Sequence, residues 1–486
     1  MSTNSEQVLG PLGPVASHAY PLCTVQHTRL LETQAASSLV THTLMQRAGL
    51  ALAQLTLAHA PHARTFWVAC GRGNNGGDGL EAAMHLQQWG KTTIVTLLDG
   101  PTDLPADAAQ SLERARQAGV VVADAPPAQW DVCIDALLGI GLRQAPTGAT
   151  LQHIRAIRAG SGLVVAADLP SGLQADTGHT PGECVHADVT LSFLTLKPGL
   201  LTAQGRDACG DLWLNTLDVA PPTAPDAWVN APGATSARAH ASHKGSFGDV
   251  AVLGGTAGMA GAALLAASAA LHAGAGRVYL GLLDATQAGL ALAFQPELMV
   301  KPLAQWDLGT MAIVAGCGGG AEIAAHLPQL IQHARQLVLD ADALNALAAQ
   351  PAWIGLVASR QPGSTVLTPH PLEAARLLDT TTAAVQADRL ASAQVLANRF
   401  GCTVVLKGSG SVIAAPGQIP RINPTGNACL ATAGTGDVLA GLVGSLMAQG
   451  HSGWKAACLG VYRHGQAADH WQQPHTLTAA ALAKYI

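Results

Sequence analysis

Aromatic residues fill only 4% of the 486 positions, and Asp, Glu, Lys and Arg together only 12%, while 49% of the chain is hydrophobic. Large side chains therefore cannot supply most of the interior, and the abundance of Ala and Gly suits large cores of helices packed closely on sheets. Basic residues are scarce: 26 Lys and Arg against 31 Asp and Glu leave a net charge of −5, which gives no footing for a nucleic-acid partner. The nine cysteines are odd in number, scattered and without a C-x-x-C pair. They read as reduced, mostly buried thiols and place the chain in the cytoplasm. The first 20 residues lack the basic start and apolar run of a signal peptide. The most apolar stretch, GAALLAASAALHAGAG at 261–276, is too short and too Ala-rich to span a bilayer. A soluble cytoplasmic protein with no membrane partner is expected. No G-x-x-x-x-G-K-[ST] occurs, which excludes a P-loop ATPase.

What is present is a chain in two halves. The length allows about three domains or two large ones. A stretch at 219–245 with four prolines and little apolar periodicity marks a linker, set at 223–242 between a first domain at 1–222 and a second at 243–486. In the first half TFWVAC, TTIVTLL, VCIDALL, GLVVAADLP and VTLSFL read as strands. In the second DVAVLGG, RVYLGLL, AIVAGCG, QLVLDADA, STVLTP and CTVVLKG do. Near-continuous apolar strands alternating with helical patterns indicate parallel sheets covered on both faces, so each half is expected to be its own α/β domain. Ligands then gather at the C-terminal strand ends, where Gly-rich turns and carboxylates collect.

The first such turn is GRGNNGGDG at 71–79, where Gly71, Gly73 and Gly76 satisfy G-x-G-x-x-G and Asp99 follows about 20 residues on. Asp78, however, puts a carboxylate where a pyrophosphate would sit. It is either an N-cap or a sign that the loop binds something other than a pyrophosphate in the usual way. Asn75, Asp135 and Ser171 each lie just beyond a strand and offer hard oxygen ligands. One carboxylate among neutral oxygens favours a weakly charged hard cation; the alternative is two turn residues and a helix cap. Asp168, between apolar AAD and LP, is a candidate general acid or base, or equally a turn-forming Asp. The loop GIGLRQA (139–145) can fold over phosphates through its amides.

In the second half AGTGD (433–437) opens a glycine-spaced helix. The amides of Gly434, Thr435 and Gly436 can form an anion hole aided by the helix dipole, with Asp437 placed to accept a hydroxyl proton. The alternative is a helix start capped by Asp437. Lys407, in KGSGS (407–411), follows a strand and either contacts a phosphate or is a solvated charge. His370, between prolines in TPHPLE, is either a ligand-facing or a structural histidine.

These motifs carry two resemblances. GRGNNGGDGLEAAMHL, DALLGIGL, DLPSGLQADTG and LTLKPG, led in by LLETQAASSLVTHTLMQRAG, resemble NAD(P)H-hydrate epimerase. The resemblance implies a Rossmann-like three-layer αβα domain that interconverts the C6 epimers of hydrated NADH or NADPH. On it Asn74, Asn75, Gly76, Gly77, Asp78, Gly139, Ile140, Gly141, Leu142, Arg143, Gln144 and Ala145 hold the substrate. Potassium sits on Asn75, Asp135 and Ser171, and Asp168 is the acid/base. HKGSFGDVAVLGG, GAALLAASAALHAGAGRV, TPHPLEAARLL, VVLKGSGSVIA and GNACLATAGTGDVLAG resemble the ADP/ATP-dependent NAD(P)H-hydrate dehydratases of the ribokinase-like superfamily. That likeness implies a ribokinase-like α/β domain that phosphorylates the C6 hydroxyl and then eliminates phosphate, with Mg2+ present. Asp437 is then the catalytic base; Ala262, Gly318, His370 and Asp437 meet the hydrated dinucleotide, and Lys407, Gly408, Ser409, Gly410, Ser411 and Gly436 meet the adenine nucleotide. The chain departs from the family at Cys317 and Gly319 (usually Pro and Leu), Leu372 (Gly), Ala428 (Pro) and Cys429 (Gly).

Together the halves imply a bifunctional repair enzyme using ADP, with ATP as the other donor, and the Ala/Gly-rich helices suit a homo-oligomer. The other reading is a ribokinase-like kinase of a small alcohol or vitamin precursor joined to an accessory dinucleotide-binding domain.

Overall fold

The computed structural model describes residues 19–98, 100, 102–233 and 239–486. Asp99, almost all of the N-terminal stretch and part of 223–242 lie outside the described residues. The chain divides into two compact units with the break between Ala227 and Trp228. That break falls inside the expected linker, where Ala227–Val229 is itself a strand.

The first unit is built on seven strands: β1 (Thr65–Cys70), β2 (Thr92–Leu97), β3 (Val121–Ala123), β4 (Val132–Ala136), β5 (Leu163–Ala167), β6 (Val189–Phe193) and β7 (Asp211–Asn215). Every pairing is parallel and the order is β3-β2-β1-β4-β5-β6-β7. TFWVAC is apolar throughout because both faces are covered: Phe66 and Val68 pack into one core cluster, Trp67 and Ala69 into the other. Helices Thr43–His59, Asn74–Gln88 and Ala106–Gln117 supply the first layer, and Gly148–Ala159 supplies Ile154 and Ile157 to the second. The strand order reverses between β1 and β4, which opens a crevice at their C-terminal ends.

In the second unit the strands are β8 (Asp249–Gly254), β9 (Arg277–Leu282), β10 (Met299–Val300), β11 (Ala312–Ala315), β12 (Gln336–Leu339), β13 (Thr365–Leu367), β14 (Thr403–Leu406), β15 (Val412–Ala414) and β16 (Arg421–Ile422). They run β16-β15-β14-β13-β12-β11-β8-β9-β10. The sheet is parallel from β10 to β14, but β15 is antiparallel to both of its neighbours, so the expectation of a purely parallel sheet fails at this edge. The reason is the length of KGSGS: it is too short for a helical crossover, so it can only close a hairpin. Small residues explain the scarcity of aromatics. Helix Ala260–His272 packs on Thr435–Ala448 so tightly that a Cβ on Gly441 would lie 2.0 Å from the Ala266 carbonyl oxygen. Among the described residues no helix is long and apolar enough to cross a membrane.

Candidate active sites

The loop after β1 leads directly into helix Asn74–Gln88, and close backbone packing shapes it. A Cβ on Gly71 would sit 1.8 Å from the Leu137 carbonyl oxygen, and one on Gly76 1.9 Å from the Gly71 carbonyl oxygen. The N-cap is Gly73, so Asp78 lies more than a turn inside the helix and is not its cap. Beside this loop Asn75, Asp135 and Ser171 come together. Ser171 donates through its N–H (2.7 Å) and its hydroxyl (2.6 Å) to the two oxygens of Asp135. The Leu138 N–H donates to Ser171 Oγ at 2.9 Å, and Asn75 Nδ2 donates to the Leu138 carbonyl at 3.1 Å. Asp135 is a strand residue rather than a cap, and burial pushes its carboxyl up to about 6 against the pull of the Ser171 hydrogen bonds. One carboxylate with amide, hydroxyl and carbonyl oxygens fits a hard monovalent cation, and Asn75 Oδ1 takes no hydrogen bond among the described residues.

A cavity of about 770 Å³ opens in front of this cluster. Asn74, Asn75, Asp78, residues 139–144 and Asp168 line it; Gly76 and Gly77 pack behind that wall, Gly77 against Met45. Asp168 sits at φ 65, in the left-handed region that Asp tolerates, after β5. Its Oδ1 accepts from Lys197 Nζ and from the Phe193 N–H (3.1 Å). Lys197 also donates to the Phe193 carbonyl (2.9 Å) and Ser192 Oγ (3.1 Å), and it is fully buried. Glu32, from helix Val25–Ser38, lines the same cavity, its carboxyl raised by burial and then by Asp168. Asp78 is held well above the carboxylate range by burial and by Asp168 and Glu32. Sequence reasoning missed Lys197 and Glu32 as site residues; LTLKPG was visible, but nothing local pairs its lysine with an aspartate 29 positions away.

In the second unit Asp437 stands in the first turn of helix Thr435–Ala448, whose N-cap is Gly434 at φ 91 rather than Asp437. Burial and then Asp340 push the Asp437 carboxyl up to about 7, opposed by a hydrogen bond from the Cys317 thiol and by Lys407. Cys317 Sγ and carboxylate oxygens of Asp340 and Asp437 lie within 4.8 Å of one another. Lys407 is no solvated charge: its Nζ donates to Asp340 Oδ1 at 2.6 Å and lies 4.0 Å from Glu373. Thr368 Oγ1 holds the same Asp340 oxygen at 2.8 Å. Gly436 packs close to the lysine: a Cβ there would come 3.2 Å from Lys407 Nζ, a tight contact. His370 caps helix Pro371–Leu378 through Nδ1, and its Nε2 lies 3.2 Å from Glu373. Gly318, at φ 59, leaves no room for a side chain: a Cβ there would lie 2.6 Å from the Met259 carbonyl oxygen and 3.0 Å from the Ala262 Cβ. Contacts therefore link His370, Glu373, Lys407, Asp340, Cys317 and Asp437, with Asp340, Glu373 and Cys317 the members sequence reasoning missed as site residues. Buried Arg389 fixes the hairpin loop, donating to the Leu406 and Lys407 carbonyls at 3.2 Å each.

A Rossmann-order sheet with a polar cavity at its switch point, and a second sheet with a carboxylate–lysine cluster at a glycine-rich helix start, define a two-site α/β enzyme. Residues 250–486 match the family model described as NAD(P)H-hydrate dehydratase, and residues 41–199 match that of the YjeF-related protein N-terminus. The bifunctional NAD(P)H-hydrate repair enzyme Nnr of Escherichia coli is 38% identical over 454 residues, covering 89% of this chain and 85% of the relative. Its namesake in Moorella thermoacetica is 36% identical over 467 residues, covering 88% and 87%. Among solved structures, the ADP/ATP-dependent NAD(P)H-hydrate dehydratase of Bacillus subtilis, co-crystallised with ATP/Mg2+, is 30% identical with a TM-score of 0.45, covering 51% of this chain and 91% of that one. The chain belongs to the family of bifunctional NAD(P)H-hydrate repair enzymes.

Proposed function

We infer that this chain epimerises the R and S forms of hydrated NADH and NADPH in its first unit and dehydrates the S form in its second, using ADP or ATP. The observation that carries this reading is likeness to bifunctional repair enzymes across both units, with an acid/base candidate in each. Epimerisation at C6 needs proton traffic: that carbon bears both the ring nitrogen and a hydroxyl. Taking the hydroxyl proton lets the C–N bond open to an aldehyde, and closure on the other face with the proton returned gives the other epimer. Asp168, oriented by Lys197, is the group we assign to that traffic. Asn74–Asp78 and Gly139–Ala145 would hold the dinucleotide, and Asn75, Asp135 and Ser171 would hold a potassium ion that fixes the loop.

In the second unit Asp437 takes the C6 hydroxyl proton as the oxygen attacks the terminal phosphorus of the nucleotide. Lys407 and the amides at Gly434–Gly436 offset phosphoryl charge, and Mg2+ would travel with the nucleotide. Loss of phosphate from C6 and of a proton from C5 then restores the dihydronicotinamide. Ala262, Gly318 and His370 would meet the hydrated ring, and Gly408–Ser411 the nucleotide. The test is recovery of reduced-nicotinamide absorbance from mixed epimers with K+, Mg2+ and either ADP or ATP. Recovery of the whole pool is expected, and the faster nucleotide is the donor. A stable phosphate ester as the end product would instead make the second unit a kinase.

A further inference from the structure

Beside the first-unit cavity, but outside the residues that line it, the start of helix Val25–Ser38 carries an unused ligand set. Cys23 Sγ, a ring nitrogen of His27 and a carboxylate oxygen of Asp226 all lie within 4.8 Å of one another. Backbone bonds fix two of the three positions. The Cys23 N–H donates to the Leu196 carbonyl at 2.9 Å and the Asp226 N–H to the Leu22 carbonyl at 3.0 Å. Cys23 directly precedes the N-cap Thr24 and His27 stands in the first turn of the helix, and both are held beside Asp226. Asp226 Oδ2 accepts from the Thr24 N–H at 2.7 Å and the Thr24 hydroxyl at 2.9 Å, and His27 Nδ1 lies 3.3 Å from it. The Cys23 thiol is wholly buried, faces this cluster and makes no hydrogen bond among the described residues. The His27 and Asp226 side chains are 26% and 34% exposed, so solvent reaches the open side.

We propose that Cys23, His27 and Asp226 form a binding site for one Zn2+ ion. Thiolate, imidazole and carboxylate together are the donor set of zinc and are wrong for the all-oxygen preference of Mg2+ or K+; a water from the open side completes four-coordination. Bound zinc displaces the thiol proton into solvent. It ties residues 23 and 27 to residue 226, and so anchors the helix whose Arg29 and Glu32 line the first-unit cavity. The hydrogen bond between Thr28 and Thr195 hydroxyls, 2.8 Å, fixes the next turn of the same helix.

Cobalt(II) titration of the full, chelator-stripped chain reads the site directly, because a thiolate ligand adds a charge-transfer band in the near ultraviolet. One equivalent carrying that band is expected, displaced by Zn2+. Cys23→Ser should abolish it, and His27→Gln and Asp226→Asn should each weaken binding beyond the roughly 10–100-fold cost of losing an outer-shell partner. Cys317→Ala, which removes the sulfur of the other mixed cluster, should leave the band in place. A wild-type chain without the band, or a band that survives Cys23→Ser and vanishes in Cys317→Ala, overturns the proposal. If Cys23→Ser does not fold, the two variants on the half-exposed side decide it: unchanged affinity in both refutes the site.

Discussion

Both units bury a lysine against an aspartate at a strand end, yet they use the pair differently. In the first, Lys197 bonds Asp168, the acid/base candidate itself. In the second, Lys407 bonds Asp340 instead, and the candidate base Asp437 is left to burial and a neighbouring carboxylate, which push it up to about 7. A base that must strip an alcohol proton at neutral pH works best poised near that pH. A carboxylate locked to an ammonium is a fixed, oriented acceptor. The same two residue types thus give one site an oriented ion pair and the other a poised base.

The largest way to break the comparison is Asp437→Ala, which should lower dehydration by roughly 10²–10⁴-fold while epimerisation, followed by chromatography of the two epimers, is unchanged. Asp168→Asn should do the reverse. Lys197→Met should also damage the fold. It leaves Asp168 beside an apolar chain without its cation, and breaking a buried pair costs about 3–5 kcal/mol, read as a lowered Tm that Lys407→Met, with a more exposed lysine, matches only in part. The pH profiles should also separate. As the assigned base Asp437 would have to be ionised, and the groups facing it are Asp340, Asp342, Lys407 and Cys317. Dehydration kcat/KM should therefore fall about tenfold per pH unit below about 7, and the epimerisation profile should not share that limb. The smallest effect belongs to Arg389→Lys. Losing one loop-fixing hydrogen bond, about 1 kcal/mol, corresponds to about a fivefold rise in nucleotide KM with kcat nearly kept.

Every apolar run read as a strand forms one, because continuous burial on both faces leaves a local signature. The strands that escaped notice lack it or are too short to show it: Val121–Ala123 is three residues long with Val121 57% exposed, Asp211–Asn215 alternates between buried and exposed or half-buried positions, and Val412–Ala414, though buried throughout, is only three residues of an antiparallel hairpin. Residues at strand ends were legible for the same reason. Asn75, Asp135 and Ser171 meet because β1, β4 and β5 are neighbours. Partnerships across the sheet were not legible. Lys407 finds Asp340 67 positions away, a partner that its local sequence, open between a phosphate contact and a charge in water, does not show. Of the two readings of Asp78, the helix start at Asn74 excludes the cap, which one-dimensional spacing cannot do because it does not say where a helix begins. Asp78 stands in the cavity wall, its carboxyl raised by burial and by Asp168 and Glu32.

The central claim is two independent sites on one chain. It is tested most directly by mixing Asp168→Asn and Asp437→Ala proteins with a pool of both hydrated epimers, K+, Mg2+ and ADP or ATP. The account predicts that each variant alone leaves much of the pool unrepaired, and that the mixture restores reduced-nicotinamide absorbance for all of it. A mixture that recovers no more than the better single variant would contradict it.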